Sequence, residues 1–526
     1  MIIKWWRLRL SSVTFILLIP YPCKVKKLFP LLALFLPLFA LAQYPDNIYP
    51  DAAHAPFLYG VASGDPMQDK VIIWTKVETR ADSLPVEVFW QMSADSGFNN
   101  IVNSGTVITN ADRDYTVKVD ANLLSAGYTY YYRFRTEGKF SDIGIARTLP
   151  PDSVKHIKLA VVSCSSIWSG YFNAYRRIAE RADIDFVVHL GDYAYDYPDE
   201  DELKRMPVKK QVDCASLADW RERHSYYLLD PDLRAARQNK TWIAEWDNHD
   251  VDVEKPGLGT EGIQAYYEYM PIRQVDILNP EIMYRAFKFG SLADLIMIDM
   301  LIYRGKEECS PGIPSVLGNI QHNWFINQMR QSKSTWHLIG NQEMMCDWLS
   351  EGAPKFISKR QGNGRVFDPG NWNGYPLDRK RIFDFIDTNH INNVVVLTGD
   401  AHMSFIMEMT DSPKVKSKYS HRTGKGSIGV EVLGPSITRG NMDEAGVPKG
   451  FVPLVQNLSK DLNPHHLWVQ FSKHGYTTID VTPERCVAEF WYSPILKKTN
   501  KEQFGKGFTV KTGKNHWERK FSNRPQ

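Results

Sequence analysis

Apolar runs that end abruptly in polar residues dominate the pattern of this chain. Ile157-Lys-Leu-Ala-Val-Val162 stops at Ser163-Cys164, Ile184–Leu190 stops at Gly191-Asp192, and Val394–Thr398 stops at Gly399-Asp400. Short runs of this kind predict strands buried on both faces. Between the first two, Phe172–Ala182 has the spacing of an amphipathic helix. This strand–helix–strand rhythm predicts an α/β domain, assigned to residues 156–510. Further strands are expected at Trp242–Glu245, Leu295–Met300, Thr335–Gly340 and Gly426–Val432. Tyr476–Val481 and Cys486–Tyr492 are expected to form a hairpin through Thr482-Pro483-Glu484. In open α/β sheets the polar residues just past the strand C-termini are where ligands bind.

Before residue 150 the pattern is different. Val71–Val77, Val86–Met92, Tyr115–Val119 and Tyr128–Arg135 read as short strands, with Asn122 and Gly127 as turn residues. Their spacing predicts a small immunoglobulin- or fibronectin-like β-sandwich over residues 50–150, with Leu149-Pro150-Pro151 as its exit linker. Residues 198–215 and 351–376 are long connections, suited to the walls of a site.

The first 42 residues read as a targeting segment. Lys24, Lys26 and Lys27 precede the apolar stretch Leu28–Leu38, and Ala40-Leu41-Ala42 forms a cleavage site before Gln43. That signal is complete from about Val25, which places the expected translation start there. The expectation is an exported protein, periplasmic or extracellular, with no membrane anchor once the signal is removed.

Composition narrows the function classes. The 526 residues allow two or three domains, and 43% hydrophobic residues allow a large core. A net charge of only +3 gives no support to a stable nucleic-acid partner. Once Cys23 leaves with the signal, Cys164, Cys214, Cys309, Cys346 and Cys486 remain. An odd number flags one free or metal-bound thiol, assigned to Cys164. The other four form up to two disulfides or stay as buried thiols; oligomeric state is not legible.

Candidate chemistry gathers at the strand ends. A carboxylate at Asp192 can bridge two metal ions, and a phenol three residues on, at Tyr195, can bind one of them. Asp400 and His402 are two apart and, in extended chain, point the same way. In Trp246-Asp-Asn-His-Asp250, Asn248 offers an amide oxygen to a hard cation and His249 a proton to a leaving alkoxide. Gln342 could add an amide oxygen, with Asn341 as the alternative. Each residue alone has a plainer role: a turn, a helix cap or a buried thiol. Thiolate, phenolate, carboxylate and imidazole together suit a ferric ion, whereas an all-oxygen second set favours Ca²⁺, Mg²⁺ or Mn²⁺ over Zn²⁺.

These segments resemble the alkaline phosphatase D (PhoD-like) family of the metallophosphoesterase superfamily. The match extends from Phe57-Leu-Tyr-Gly-Val-Ala-Ser-Gly-Asp-Pro66 and Ile73-Trp-Thr75 to Asn463-Pro-His465 and Gly475-Tyr476. The Gly-Asp-x-x-Tyr spacing is also that of purple acid phosphatases, with Cys164 standing where those enzymes carry aspartate. The resemblance implies an N-terminal β-sandwich ahead of a calcineurin-like αββα sandwich. It implies Fe³⁺ with Ca²⁺ as its partner, Mn²⁺, Mg²⁺ and Zn²⁺ being alternatives. It also implies hydrolysis of phosphate mono- or diesters by a metal-bound hydroxide, with Cys164, Asp192, Tyr195, Asn248, Gln342, Asp400 and His402 as ligands and His249 as acid. Arg304 and Arg379 are candidate phosphate contacts. Alternatives are a diesterase for a polymer or lipid head group, and a metal-binding module without catalysis. Two departures stand out: the family's two aspartates and His-Glu appear as Asp247-Asn248-His249-Asp250, and its Asp-Thr-Arg-x-Tyr-Arg segment as Asp299-Met-Leu-Ile-Tyr303-Arg304.

Overall fold

Two sheets face each other across a shared apolar layer in the computed structural model. It describes residues 48–525 apart from 80–83, 198–204, 207–211, 254–257, 354–364, 443 and 445. The expected targeting segment lies outside the described residues, as do parts of both long connections. Among the described residues no helix is long and apolar enough to cross a membrane.

The first sheet has nine strands, in the order Gln503–Lys511, Arg485–Tyr492, Gly475–Val481, Ile157–Val162, Phe186–Leu190, Thr241–Glu245, Val61–Gly64, Val71–Lys76 and Thr116–Ala121. Its centre is parallel, with Val188 opposite both Val161 and Ile243. The second has seven, Arg285–Phe289, Ala293–Met297, Trp336–Asn341, Val394–Thr398, Gly429–Leu433, Ser404–Met409 and His466–Gln470.

Side-chain alternation explains the layering. Leu159, Val161, Phe186, Val188 and Leu190 meet Leu295, Leu338, Val395 and Leu397 between the sheets. The intervening residues Ala160, Val162 and Val187 turn outward to helices Asn173–Glu180, Leu217–Tyr227, Pro231–Asn239 and Leu258–Tyr269. On the other side, Val394 and Val396 pack against helices Gly318–Gln331 and Pro376–Thr388. A strand covered on both faces has no place for polar alternation, hence the continuous apolar runs.

The N-terminal strands Val61–Gly64, Val71–Lys76 and Thr116–Ala121 serve two structures. With the five-stranded sheet built on Val86–Ser93, Ile101–Thr109 and Thr129–Thr136 they enclose a core of Val71, Ile73, Trp90, Tyr132 and Phe134. They also continue the nine-stranded sheet, because Ser63 pairs in parallel with Thr241. Asp65, buried just past the first of them, accepts from Arg273 N and pairs with Arg285 at 2.8 Å.

The hairpin through Thr482-Pro483-Glu484 is present, with Val481 opposite Cys486. Cys164, Cys214, Cys309, Cys346 and Cys486 are all free thiols, so of the two readings of the cysteines the buried-thiol one describes Cys214, Cys346 and Cys486.

Candidate metal centre

Both sheets deliver their parallel strand C-termini to one end of the molecule, and the polar residues that follow converge there. Cys164 follows Val162, Asp192 follows Leu190, and Asp400 and His402 follow Thr398. Cys164 Sγ, an Asp192 oxygen and a His402 ring nitrogen lie within 4.8 Å of one another. Tyr195 donates its hydroxyl to Asp192 Oδ2 at 2.9 Å and lies 3.5 Å from His402 Nε2. Tyr193 is placed differently: its hydroxyl accepts from Arg237 at 3.0 Å, in the core on the helix side of the sheet.

The backbone here is held in an unusual state. Cys164, Asp192, Asp400 and His402 have φ of 56°, 56°, 60° and 59°. Non-glycine residues in the left-handed region are costly, and they cluster where surrounding structure forces a functional geometry. The loops are also pressed together. A Cβ on Gly191 would lie 2.4 Å from Asp247 Cβ, and one on Gly399 would lie 2.8 Å from Ser163 Oγ.

Hydrogen bonds orient the donors. His402 directs Nδ1 to Gly440 O at 3.1 Å, which fixes Nδ1 as the protonated nitrogen and leaves the Nε2 lone pair facing Tyr195 and Asp192. Burial holds the His402 pKa well below the usual value, so the ring is neutral. Burial, then the charges of Asp192 and Asp400, push the Cys164 thiol up. Burial and Asp192 do the same to Tyr195.

A second set of acids adjoins the first. Burial, then the charges of Asp192, Glu343 and Asp400, raise the Asp247 pKa, and burial, then Glu343 and Asp192, raise that of Asp400. Asp247 Oδ2 is buried without a hydrogen-bond partner. Buried carboxylates crowded in this way are costly unless a proton or a cation neutralises them. Asn248, between Asp247 and His249, is half-buried. Sequence reasoning missed Asp247 and Glu343; Asp247 had one signal, its place directly beside Asn248.

His249 is held in a fixed orientation. Its Nδ1 is 2.8 Å from Asp196 Oδ1, its backbone N–H donates to Asp192 Oδ1 at 3.3 Å, and its ring stacks on Tyr195 with centroids 4.2 Å apart. Burial lowers its pKa, but the Asp192 charge and the Asp196 hydrogen bond outweigh burial and leave it above the ordinary value. Asp196 was also missed, although it stands four residues after Asp192 in the same segment. Arg439, missed as well, brings its guanidinium to 5.2 Å from the Tyr195 ring centre and is anchored by its N–H to Cys164 O.

The other expected residues are engaged by protein partners. Gln342 accepts from Met300 N at 3.2 Å and donates to Trp246 O at 3.1 Å, so its amide bridges backbone segments. Asn341 donates to Thr398 and accepts from Trp372 Nε1. Arg304 is paired with Glu343 at 2.5 Å. Arg379 is engaged by Asp347 at 2.6 Å and by Met345 O.

The sequence matches the PhoD-like phosphatase family profile over residues 159–254 and 256–490, and the profile of that family's N-terminal domain over residues 43–150. It is 32% identical over 500 residues to alkaline phosphatase D of Bacillus subtilis (strain 168), covering 87% of this chain and 81% of the relative. A solved structure of PhoD superimposes with a TM-score of 0.76 at 27% identity, covering 89% of this chain and 93% of that one.

Proposed function

This chain belongs to the PhoD-like phosphatase family, and on that premise we propose that it is an exported hydrolase of phosphate mono- and diesters built around a dinuclear metal centre. The observation that carries this reading is the convergence of Cys164, Asp192 and His402, from three separate strand ends, to within 4.8 Å. In this reading the facing sheets form a calcineurin-like sandwich, and residues 50–150 form its N-terminal β-sandwich domain. Cys164, Asp192, Tyr195 and His402 would hold Fe³⁺. Asp192, Asn248 and Asp400, joined by Asp247, would hold Ca²⁺, for which an all-oxygen set is suited. The donor chemistry fits: a neutral imidazole presents its lone pair, and Asp247 Oδ2, buried among other acids without a partner, calls for positive charge. When bound, the cations would supply that charge to the phosphoryl oxygens and acidify the attacking water.

The chain's own residues handle the leaving group. Asp196 holds His249 Nδ1, so Nε2 is the nitrogen left to face the ester. The raised pKa keeps the imidazole protonated closer to neutral pH, and it donates that proton to the departing alkoxide as the ester P–O bond breaks. The bond from His249 N–H to Asp192 and the stack on Tyr195 tie this donor to the metal side chains. Arg304 and Arg379 remain the candidates for phosphate contact only if substrate draws them from Glu343 and Asp347.

Metal analysis of protein purified without chelators, alongside hydrolysis of a nitrophenyl monoester and a bis-nitrophenyl diester, tests this reading. Bound iron, and hydrolysis abolished by chelation, are expected. Metal-loaded protein that hydrolyses neither ester refutes it.

A further inference from the structure

The geometry points to Asp250 as a positioning residue that sets the separation of the two loops carrying Asp192 and Asp247–His249. This role rests on the phosphoesterase reading above. Asp250 is fully buried. Its Oδ1 accepts from Ala194 N at 2.9 Å, and its Oδ2 accepts from Tyr193 N at 3.2 Å and from Asp247 N at 3.0 Å. One carboxylate thus gathers amides from the segment after Asp192 and from the segment that presents Asn248 and His249.

Strand pairing does not do this job. The ladder between Phe186–Leu190 and Thr241–Glu245 ends at Leu190 opposite Glu245, before either loop begins. Beyond it the loops meet at the Gly191–Asp247 close approach, at the His249 N–H bond to Asp192, and through Asp250. Asp250 itself cannot retreat. Its N–H donates to Asp247 O at 2.9 Å. A Cβ on Gly262, in the helix behind, would lie 3.2 Å from Asp250 O and 3.0 Å from Val251 Cα.

Three N–H donors need both carboxylate oxygens. An asparagine offers one oxygen and turns an NH₂ donor toward whichever N–H remains. Because Oδ2 serves both loops, the asparagine oxygen is best placed there, which keeps Tyr193 and Asp247 and turns the NH₂ against Ala194 N–H; the isosteric change therefore pushes the segment after Asp192 off its seat while leaving the volume intact. Asp192 would shift relative to Asp247 and Asn248, the all-oxygen set. Cys164 and His402 stand on other loops and do not touch Asp250 through any of these bonds, whereas Asp192 and Tyr195 belong to the segment that moves.

The test compares D250N with wild-type full-length protein, each stripped of calcium by mild chelation and titrated with Ca²⁺ by calorimetry. Supports of metal-binding loops are worth about 10- to 100-fold in affinity or activity. D250N should bind Ca²⁺ weaker by about that factor, with kcat reduced and KM near wild type at saturating Ca²⁺. Hydrogen exchange at the amides of Tyr193, Ala194 and Asp247 should be slow in wild type, and that of Ala194 fast in the variant. Wild-type Ca²⁺ affinity and kcat in D250N overturn the inference, as does a variant that loses thermal stability alone. Should D250N fail to fold, fast exchange of those three amides in the wild-type protein overturns it. Wild-type protein that neither binds Ca²⁺ nor hydrolyses esters refutes the phosphoesterase reading; normal wild-type behaviour with an unaffected D250N refutes only the role of Asp250.

Discussion

Replacing Asp196 by asparagine should slow the enzyme in a way that depends on the leaving group. The His249–Asp196 contact is 2.8 Å, between side chains only 9% and 7% exposed, so solvent screens it little. Hydrogen bonds to a charged group are worth about 1.5–3 kcal/mol. Lost entirely in the transition state, that is roughly 10- to 150-fold in kcat. The full effect is expected for alkyl phosphates, whose alkoxide must be protonated to leave. Nitrophenyl esters leave without much help and should lose only a few-fold. The pH profile carries a sign. Asp196 helps hold the His249 pKa above its ordinary value, so its removal lowers that pKa. Activity that needs protonated His249 then falls off at lower pH than in wild type. The double variant D196N/H249A should be no slower than H249A, because both changes act on one proton. Equal losses for both ester classes, or additive losses in the double variant, would refute the proton-donor role.

Other perturbations test other parts of the site and fold. Cys164→Ser should lose iron and most activity while circular dichroism stays native, since a serine hydroxyl stays protonated where a thiol can ionise on a metal; full iron content would remove Cys164 from the centre. Tyr195→Phe should bleach any tyrosinate-to-iron absorption band, and a retained band would assign it to another tyrosine despite the bond of Tyr193 to Arg237. Asp65→Asn keeps a side chain tolerant of its φ of 43° but leaves half-buried Arg285 without its ion-pair partner. A loss of about 3–5 kcal/mol in urea unfolding is expected, and a loss below about 1 kcal/mol would show the pair to be dispensable.

What the sequence revealed depended on where each residue stands. Ile157–Val162 and Val394–Thr398 were legible to the residue, because strands covered on both faces read as unbroken apolar runs. Ile101–Thr109 was not: most of it is exposed or half-exposed, and its polar residues look like loop. The helix Leu217–Tyr227 buries Arg223 and His224 on its inner side, so its periodicity is blurred. At the site, Cys164, Asp192, Tyr195 and His402 followed strand ends and could be named and placed together. Asp196 and Asp250 bond across to a different loop, and Asp247 crowds against Gly191, which spacing along one segment does not reveal. Gln342 had the right chemistry and position, but backbone groups on two sides claim its amide. Arg379 reads as a free cation along the sequence because its partner Asp347 stands 32 residues away.

The strand Val61–Gly64 has a consequence for how this chain can be cut and how it is assembled. It is among the first described elements, yet its Ser63 hydroxyl meets Thr241 across 178 residues of sequence. On its other side it pairs with Val71–Lys76. The early strands therefore cannot reach their final neighbours until the strand leading to Trp246 and His249 has been made and placed. Closing a connection of that length slows folding, and it joins two regions into one cooperative unit. A fragment beginning after residue 150 would leave Thr241–Glu245 with a bare edge, the kind of surface that recruits other chains. The N-terminal region is thus no detachable tag on the enzyme: removing it would strip one of the two neighbours of the strand that leads to His249.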